Sequence, residues 1–263
     1  MASKPLKMAP TRRSGKFPPR EWRELADKIS TAVAILQWEL GNMWGHVSAR
    51  TPDGRHFLLR HLRPPANRDI PADDVLVYDL KGNLISGRRD QPDEIFFYLC
   101  PYQARPDIGA VVHCHPAMVL ALAAVGRKIV PFHQRMAKFG SEVPVLPWLY
   151  GYWRKHGEMV ARVLKKNRSV IIRGHGAVVV GETIEEACMN MVELERSAKV
   201  ILLASALGDI KALPPAVLKK FQTVVGSRWK DDTDQAKSRS LVEWMEWHYY
   251  ESLVKRGERW SRL

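Results

Sequence analysis

Residues 110–116, Ala-Val-Val-His-Cys-His-Pro, set two imidazoles at the end of an apolar run and close it with a proline. A run this short and this rich in β-branched residues reads as a buried strand. Pro116 cannot donate to a ladder, so the strand ends there. Any sheet built around this segment therefore carries polar chemistry at the end of a buried strand. Residues i and i+2 of a strand share a face, so His113 and His115 point together while Cys114 points the other way. Such a pair can bind one metal ion; two histidines satisfied by hydrogen bonds fit the spacing as well.

The other segments predict what surrounds this strand. Residues 21–40 place Trp22, Leu25, Ile29, Val33 and Leu36 at helical spacing, with Gly41 as a stop. Strand-like pieces follow at 46–51, 55–59, 75–80 and 83–87, separated by the turn segments TPDG and DLKGN. Residues 93–104 read as a helix, 109–115 as the strand above, and 116–124 as a helix opened by Pro116. A short strand at 143–146 and a helix near 157–166 come next. SVIIRGHGAVVVG (169–181) reads as strand, glycine-flanked bend, strand. A long helix then starts at Thr183, with Glu186 completing a capping box, and ends at Gly208. Hairpin-linked strands between helices predict one domain with a mostly antiparallel sheet, either α+β or α/β/α. The expected division is a basic arm at 1–20, that domain at 21–208, and a helical extension at 209–263 lying on the domain or on a neighbouring subunit.

The net charge is +13, and residues 1–25 alone hold seven Lys or Arg against two Glu, a local +5. Nucleic acid is one class of partner for such a charge. No zinc-finger, helix-turn-helix or RNP pattern accompanies it, so nucleic acid is not expected. A basic pocket for an anionic small molecule suits the charge equally well. No apolar run approaches the roughly 18 residues of a membrane span. The basic N-terminus lacks the apolar stretch of a secretory signal. Three cysteines (Cys100, Cys114, Cys188) without CxxC spacing read as reduced thiols. Together these readings predict a cytoplasmic protein free of membranes.

A third histidine, His175, sits between Gly174 and Gly176, which permit a tight bend and remove bulk around the ring. Glu94 is the leading carboxylate partner. Three neutral nitrogens and one carboxylate suit zinc, manganese or a similar divalent ion with a position left for substrate. Read alone, Glu94 is also an ordinary acid at a helix N-terminus.

Four segments in order resemble the class II aldolase/adducin family. GNMWGHVSAR (41–50) is similar to its GNxSxR signature. Glu94 followed by HCHP resembles its acid and HxHP pair, and RGHGAVVVG (173–181) its third-ligand segment. The likeness spans roughly residues 22–207. It implies an α/β/α sandwich, fold class α/β, around a central mixed, mainly antiparallel sheet. It further implies a homotetramer with active sites near subunit contacts and one divalent metal ion, Mn2+ or Zn2+, per subunit. His113, His115 and His175 become the metal ligands. Glu94 becomes a metal-adjacent acid/base.

The departures from the family are informative. Its sugar-phosphate enzymes carry TPSG-like and PSSE segments whose donors hold the phosphate. Residues 61–71 here read HLRPPANRDIP and residues 91–94 read QPDE. Asp93 then faces a site that would have to hold a dianion, and like charges in a shared pocket repel. A branch of the family without the phosphate pocket decarboxylates hydroxylated aromatic acids, and this chain is most similar to that branch. The expected substrate is a small anionic ring, a hydroxylated aromatic or pyridine dicarboxylate. A sugar or sugar-phosphate aldolase or epimerase is the alternative. A non-catalytic scaffold of adducin type is disfavoured by the intact histidines. Aldol cleavage and decarboxylation share one need, a Lewis acid at an oxygen next to a carbanion.

Expected substrate contacts are Asn42, His46, Ser48, Arg50 and Asp93. Strand alternation sets His46, Ser48 and Arg50 on one face, and Arg50 is the natural clamp for a carboxylate. A surface strand arginine fits the same position. Tyr150 and Tyr152, in WLYGYW, are candidates for reaching a neighbouring subunit's site; an aromatic packing cluster is the other reading.

Overall fold

The computed structural model describes residues 20–41, 44–61, 75–87, 92–227 and 241–257. Helix α1 (Arg20–Leu40) buries Ile29, Val33 and Leu36 completely. It stops at Gly41, whose positive φ of 66° lets its N–H bond back to Gln37. Eight strands follow among the described residues: β1 (Gly45–Arg50), β2 (His56–His61), β3 (Leu76–Asp79), β4 (Leu84–Ser86), β5 (Ala110–Cys114), β6 (Val145–Leu146), β7 (Ser169–Ile172) and β8 (Gly176–Gly181). They form one sheet in the order β4-β3-β2-β1-β5-β8-β7-β6. Every neighbouring pair is antiparallel except β6 and β7. The sheet is therefore mixed and mainly antiparallel, and β5 lies near its middle.

The inner strands alternate between two cores. Val47, Ala49, Ala110, Val112, Cys114, Ala177 and Val179 face one apolar cluster; Val111, Val178 and Val180 face the other. The first is roofed by α1, α3 (Ala117–Ala124) and α5 (Ile184–Ala204), the second by α2 (Phe96–Ala104) and α4 (Arg154–Leu164). This is the three-layer α/β/α sandwich. Since His113 alternates with Val112 and Cys114, it points to the α2/α4 side.

Local signals explain most boundaries. Thr183 Oγ1 accepts from the Glu186 N–H at 3.1 Å, and the Glu186 carboxylate accepts from the Glu182 N–H at 2.7 Å, the reciprocal cap expected there. Several elements differ from expectation; the long helix α5, for one, ends at Ala204 rather than at Gly208. Helix α2 starts at Phe96 rather than 93, because residues 93–95 form tight turns in which Ile95 N–H bonds to Pro92 O and Phe97 N–H to Glu94 O. Glu94 thus precedes the helix. Helix α4 starts at 154 rather than 157, with Gly157 inside it against the Phe96 backbone; a Cβ there would lie 2.4 Å from Phe96 O. Residues 134–139 form a 3-10 helix with no sequence signal.

Beyond α5 lie α6 (Pro215–Ser227) and α7 (Leu241–Arg256). Helix α7 packs on α1 and α5, burying Trp247, Tyr250 and Leu253 in the first core, while Trp244 and Tyr249 stay exposed. Glu193 of α5 binds Arg135, and Arg135 also pairs with Glu246 of α7. No helix among the described residues is long and apolar enough to cross a membrane.

Candidate metal centre

Two segments of the chain bring the histidines together. His113 lies in β5, paired with His46 on β1 and Val178 on β8, and is fully buried. Its Nδ1 donates to Ala177 O at 2.9 Å, which fixes the tautomer and turns Nε2 towards Glu94. His175 occupies the bend between β7 and β8, where Gly174 takes a φ of 69°. Its Nδ1 donates to Leu149 O at 2.6 Å, again leaving Nε2 directed at Glu94. His115 follows the last residue of β5, and its ring bonds to the Trp44 backbone. The ring centroids form a near-equilateral triangle with sides of 4.9, 5.1 and 5.3 Å.

Glu94 closes the triangle. Its carboxylate oxygens lie 2.6 Å from His175 Nε2 and 3.3 Å from His113 Nε2. One ligand atom from each of the four residues falls within 4.8 Å of the others. Burial by itself would raise the Glu94 carboxyl, but the His113 and His175 rings outweigh it and hold the group well below the usual carboxylate range. Burial, reinforced by the His113 ring, pushes the His115 imidazole down to about 4, so it is neutral near pH 7, as a metal ligand must be. Burial would lower His175 too, yet the Glu94 contact raises it.

The cluster depends on missing side chains. A Cβ on Gly176 would sit 2.9 Å from both His113 Cε1 and His115 Cδ2, and one on Gly151 would sit 2.7 Å from Glu94 Cα. Both positions require glycine for lack of room. A single ion about 2.1 Å from each nitrogen needs nitrogen separations of roughly 3–3.5 Å, which rings at these spacings can reach. Three imidazoles oriented by backbone carbonyls, with an adjoining carboxylate, fit a divalent first-row ion.

The structure sorts the expected substrate contacts. His46 belongs to the cluster's rim: Nδ1 is 3.9 Å from Glu94 Oε2, and the ring meets Tyr98 edge-on at 5.7 Å. Asp93 is exposed beside Glu94 and accepts from the Tyr150 hydroxyl at 3.0 Å. Tyr150 lies 6.4 Å from the His175 ring and stacks with Tyr152 at 6.1 Å. Asn42 lies outside the described residues, as do residues 62–74, most of the HLRPPANRDIP segment.

The structure places Ser48 and Arg50 in contacts with backbone and Tyr102 rather than at the cluster. Ser48 is fully buried, donating to Val111 O at 2.9 Å and sharing a hydrogen bond with the Tyr102 hydroxyl. Arg50 reaches four backbone carbonyls, those of Ile108, Gly54, Tyr102 and Arg105. Its guanidinium also lies over the Tyr102 ring at 4.9 Å. Alternation gave both residues His46's face, but at about 3.3 Å per residue Arg50 lies about 13 Å further along the strand. Arg50→Ala is therefore expected to destabilise the protein by about 2–3 kcal/mol, because charge-assisted bonds are lost and carbonyls left unpaired. Urea denaturation should read that loss, while the KM of the assayed substrate stays unchanged.

Sequence reasoning missed Phe97, whose ring packs on His113 at 5.2 Å and on His175 at 5.6 Å. Its spacing of three from Glu94 was the available signal. The carbonyls of Ala177 and Leu149 left none, since any residue supplies a carbonyl.

The sequence matches the family model "Class II Aldolase and Adducin N-terminal domain" over residues 28–202, and the chain belongs to this family. It is 32% identical over 199 residues to the 3-oxo-tetronate 4-phosphate decarboxylase of Pectobacterium atrosepticum, covering 73% of this chain and 88% of that protein. It is 30% identical over 202 residues to the 3,4-dihydroxyphthalate decarboxylase of Arthrobacter keyseri, covering 70% and 79%. The L-fuculose 1-phosphate aldolase of Glaciozyma antarctica shares the fold, with a TM-score of 0.71 at 21% identity over 94% of this chain and 97% of that one. Relatives of these kinds are lyases, which supports an enzyme that cleaves carbon–carbon bonds.

Proposed function

We propose that this protein is a metal-dependent carboxy-lyase acting on a hydroxylated aromatic or pyridine dicarboxylate, with 3-hydroxy-2-methylpyridine-4,5-dicarboxylate as the leading substrate. Its product would be 3-hydroxy-2-methylpyridine-5-carboxylate plus carbon dioxide, a step in vitamin B6 breakdown. The observation that carries the reading is the pairing of the Glu94–histidine cluster with Asp93, an anion beside the site where a phosphate holder would need neutral donors. Similarity to a decarboxylase named for a dihydroxylated aromatic dicarboxylate supports it. The reading extends to a cytoplasmic homotetramer with its sites near subunit contacts.

In this account His113, His115 and His175 hold one Mn2+ or Zn2+ ion, with Glu94 beside it. The bound cation would supply Lewis-acid stabilisation of an anionic oxygen next to the carbon that gains charge. Glu94, a carboxylate at rest, takes the proton of the ring hydroxyl. The bond from the ring to the leaving carboxylate then breaks, its electron pair stays on the ring carbon, and carbon dioxide departs. Glu94 returns its proton to that carbon, and solvent restores the hydroxyl. His46 borders the carboxylate and would help orient the ring. Phe97 keeps water from the inner edges of His113 and His175.

A second reading, a phosphorylated sugar-acid substrate, is favoured by the similarity to the 3-oxo-tetronate 4-phosphate decarboxylase. A sugar-phosphate aldolase or epimerase belongs with it. The test is carbon dioxide release, with Mn2+ or Zn2+ added, from the hydroxypyridine dicarboxylate, from 3,4-dihydroxyphthalate and from 3-oxo-tetronate 4-phosphate, beside an aldol-cleavage assay on fuculose 1-phosphate. Turnover confined to the two ring substrates is expected. Turnover confined to the phosphorylated ones would overturn the aromatic assignment.

A further inference from the structure

We infer that Trp148 is a specificity-determining residue of the site, an open aromatic face on which the flat ring of an anionic substrate stacks; the inference rests on the ring-substrate reading above. Residues 147–153 run beside the cluster, and backbone alternation splits them. Leu149 is buried in the second core, while Trp148 on one side of it is 62% exposed and Tyr150 on the other is half-buried. The segment is held firmly. Leu149 O takes the His175 Nδ1–H at 2.6 Å, Phe96 N–H bonds to Gly151 O, and Gly151 lies so close to Glu94 that a Cβ would have no room. Trp148 is thus presented by a strip already fixed to two members of the cluster.

Three rings on this strip form a stack. Tyr150 is the middle one, near-parallel to Trp148 at 6.4 Å and 16° and to Tyr152 at 6.1 Å and 22°. Its ring lies 6.4 Å from that of His175, and its hydroxyl is already engaged with Asp93. The Tyr152 end of the stack is closed by Trp153, which meets it edge-on at 5.6 Å. Trp148 forms the other end, and among the described residues no further ring covers it. Single exposed aromatics are ordinary on protein surfaces. This one closes a stack that begins against His175, and it stands over the same bend: a Cβ on Gly174 would meet Trp148 Cδ1 at 3.9 Å. A ring held at the cluster by its oxygen atoms extends outwards, where the indole offers an offset-stacking partner. The strip is ordered beforehand, so the contact area comes at little cost in entropy. An open-chain sugar acid has no flat face to lay on it.

Phthalate and maleate test this without turnover, because both carry cis carboxylates on adjacent carbons and only phthalate carries a ring. In the full-length protein with Mn2+ present, calorimetry is expected to show phthalate binding about 10-fold tighter than maleate, the size of one good aromatic stack and the area it covers. Trp148→Ala should cut that ratio to about 2-fold or less through weaker phthalate binding. Trp148→Phe keeps a flat face and should preserve most of the ratio. Trp148→Leu is apolar without a face and should not. A wild type that binds neither acid or prefers neither, a preference that survives in Trp148→Ala, or a leucine variant that matches phenylalanine would overturn the inference. So would a Trp148→Ala protein whose assembly state changes on size-exclusion chromatography while the preference stays, since the indole would then belong to a contact between copies. If ring acids prove not to be substrates, the carboxy-lyase reading fails by itself, and the phthalate-to-maleate ratio still decides for or against Trp148.

Discussion

Replacing His113 with alanine is expected to abolish both bound metal and turnover. The residue is fully buried at the centre of the sheet, and its Nε2 stands 3.3 Å from Glu94. Its ring also touches both other imidazoles, at centroid distances of 4.9 and 5.1 Å. Truncation removes one of three nitrogens, leaves Ala177 O without its donor, and opens a hole beneath Glu94. Losing an outer-shell partner typically costs about 10–100-fold in metal affinity, so losing a ligand should cost more than about 100-fold. Metal content of the purified variant and its rate of substrate loss are the two readouts, with circular dichroism to verify the fold. His115→Ala should behave alike. His248, exposed on α7 and paired with Glu251, is the control whose alanine variant keeps both properties. A His113→Ala protein with full metal and full turnover would end the ligand assignment.

The site was legible in the sequence where geometry follows from local periodicity. The period of two in a strand aligned His113 with His115, and glycines on both sides of His175 announced a bend open enough for a ring. Alternation failed where the question was distance along the strand. It assigned Ser48 and Arg50 to the face of His46 but could not say that Arg50 runs off to a knot of backbone carbonyls. Contacts made across the fold left no local trace: Glu195 looks like any helical acid until α3 is seen beginning against it. The same holds for α2, whose start was misread because Glu94 looked like an acid in a first helical turn, whereas it sits in the tight turns before the helix. Those turns aim its carboxylate across at the histidines. The feature that spoiled the boundary is thus the one that builds the site.

Replacing Glu94 with glutamine should leave the protein folded while lowering turnover by about 100-fold or more, the size expected for a lost general acid/base. Glutamine has nearly the shape of glutamate, so Gly151, which leaves no spare room behind Glu94 Cα, still accommodates it. The amide can neither take the ring hydroxyl's proton nor return one to carbon. It also contributes no negative charge to the three imidazoles, so metal affinity should fall as well, and turnover must be measured at saturating metal to isolate the proton step. Asp93 is the built-in comparison. It adjoins Glu94 but is exposed, with Tyr150 on its carboxylate, so Asp93→Asn should act mainly on KM, through substrate charge, and far less on kcat. If Asp93→Asn instead took the 100-fold loss in kcat while Glu94→Gln stayed active, the proton would travel through Asp93, and Glu94 would be left as a companion to the cation.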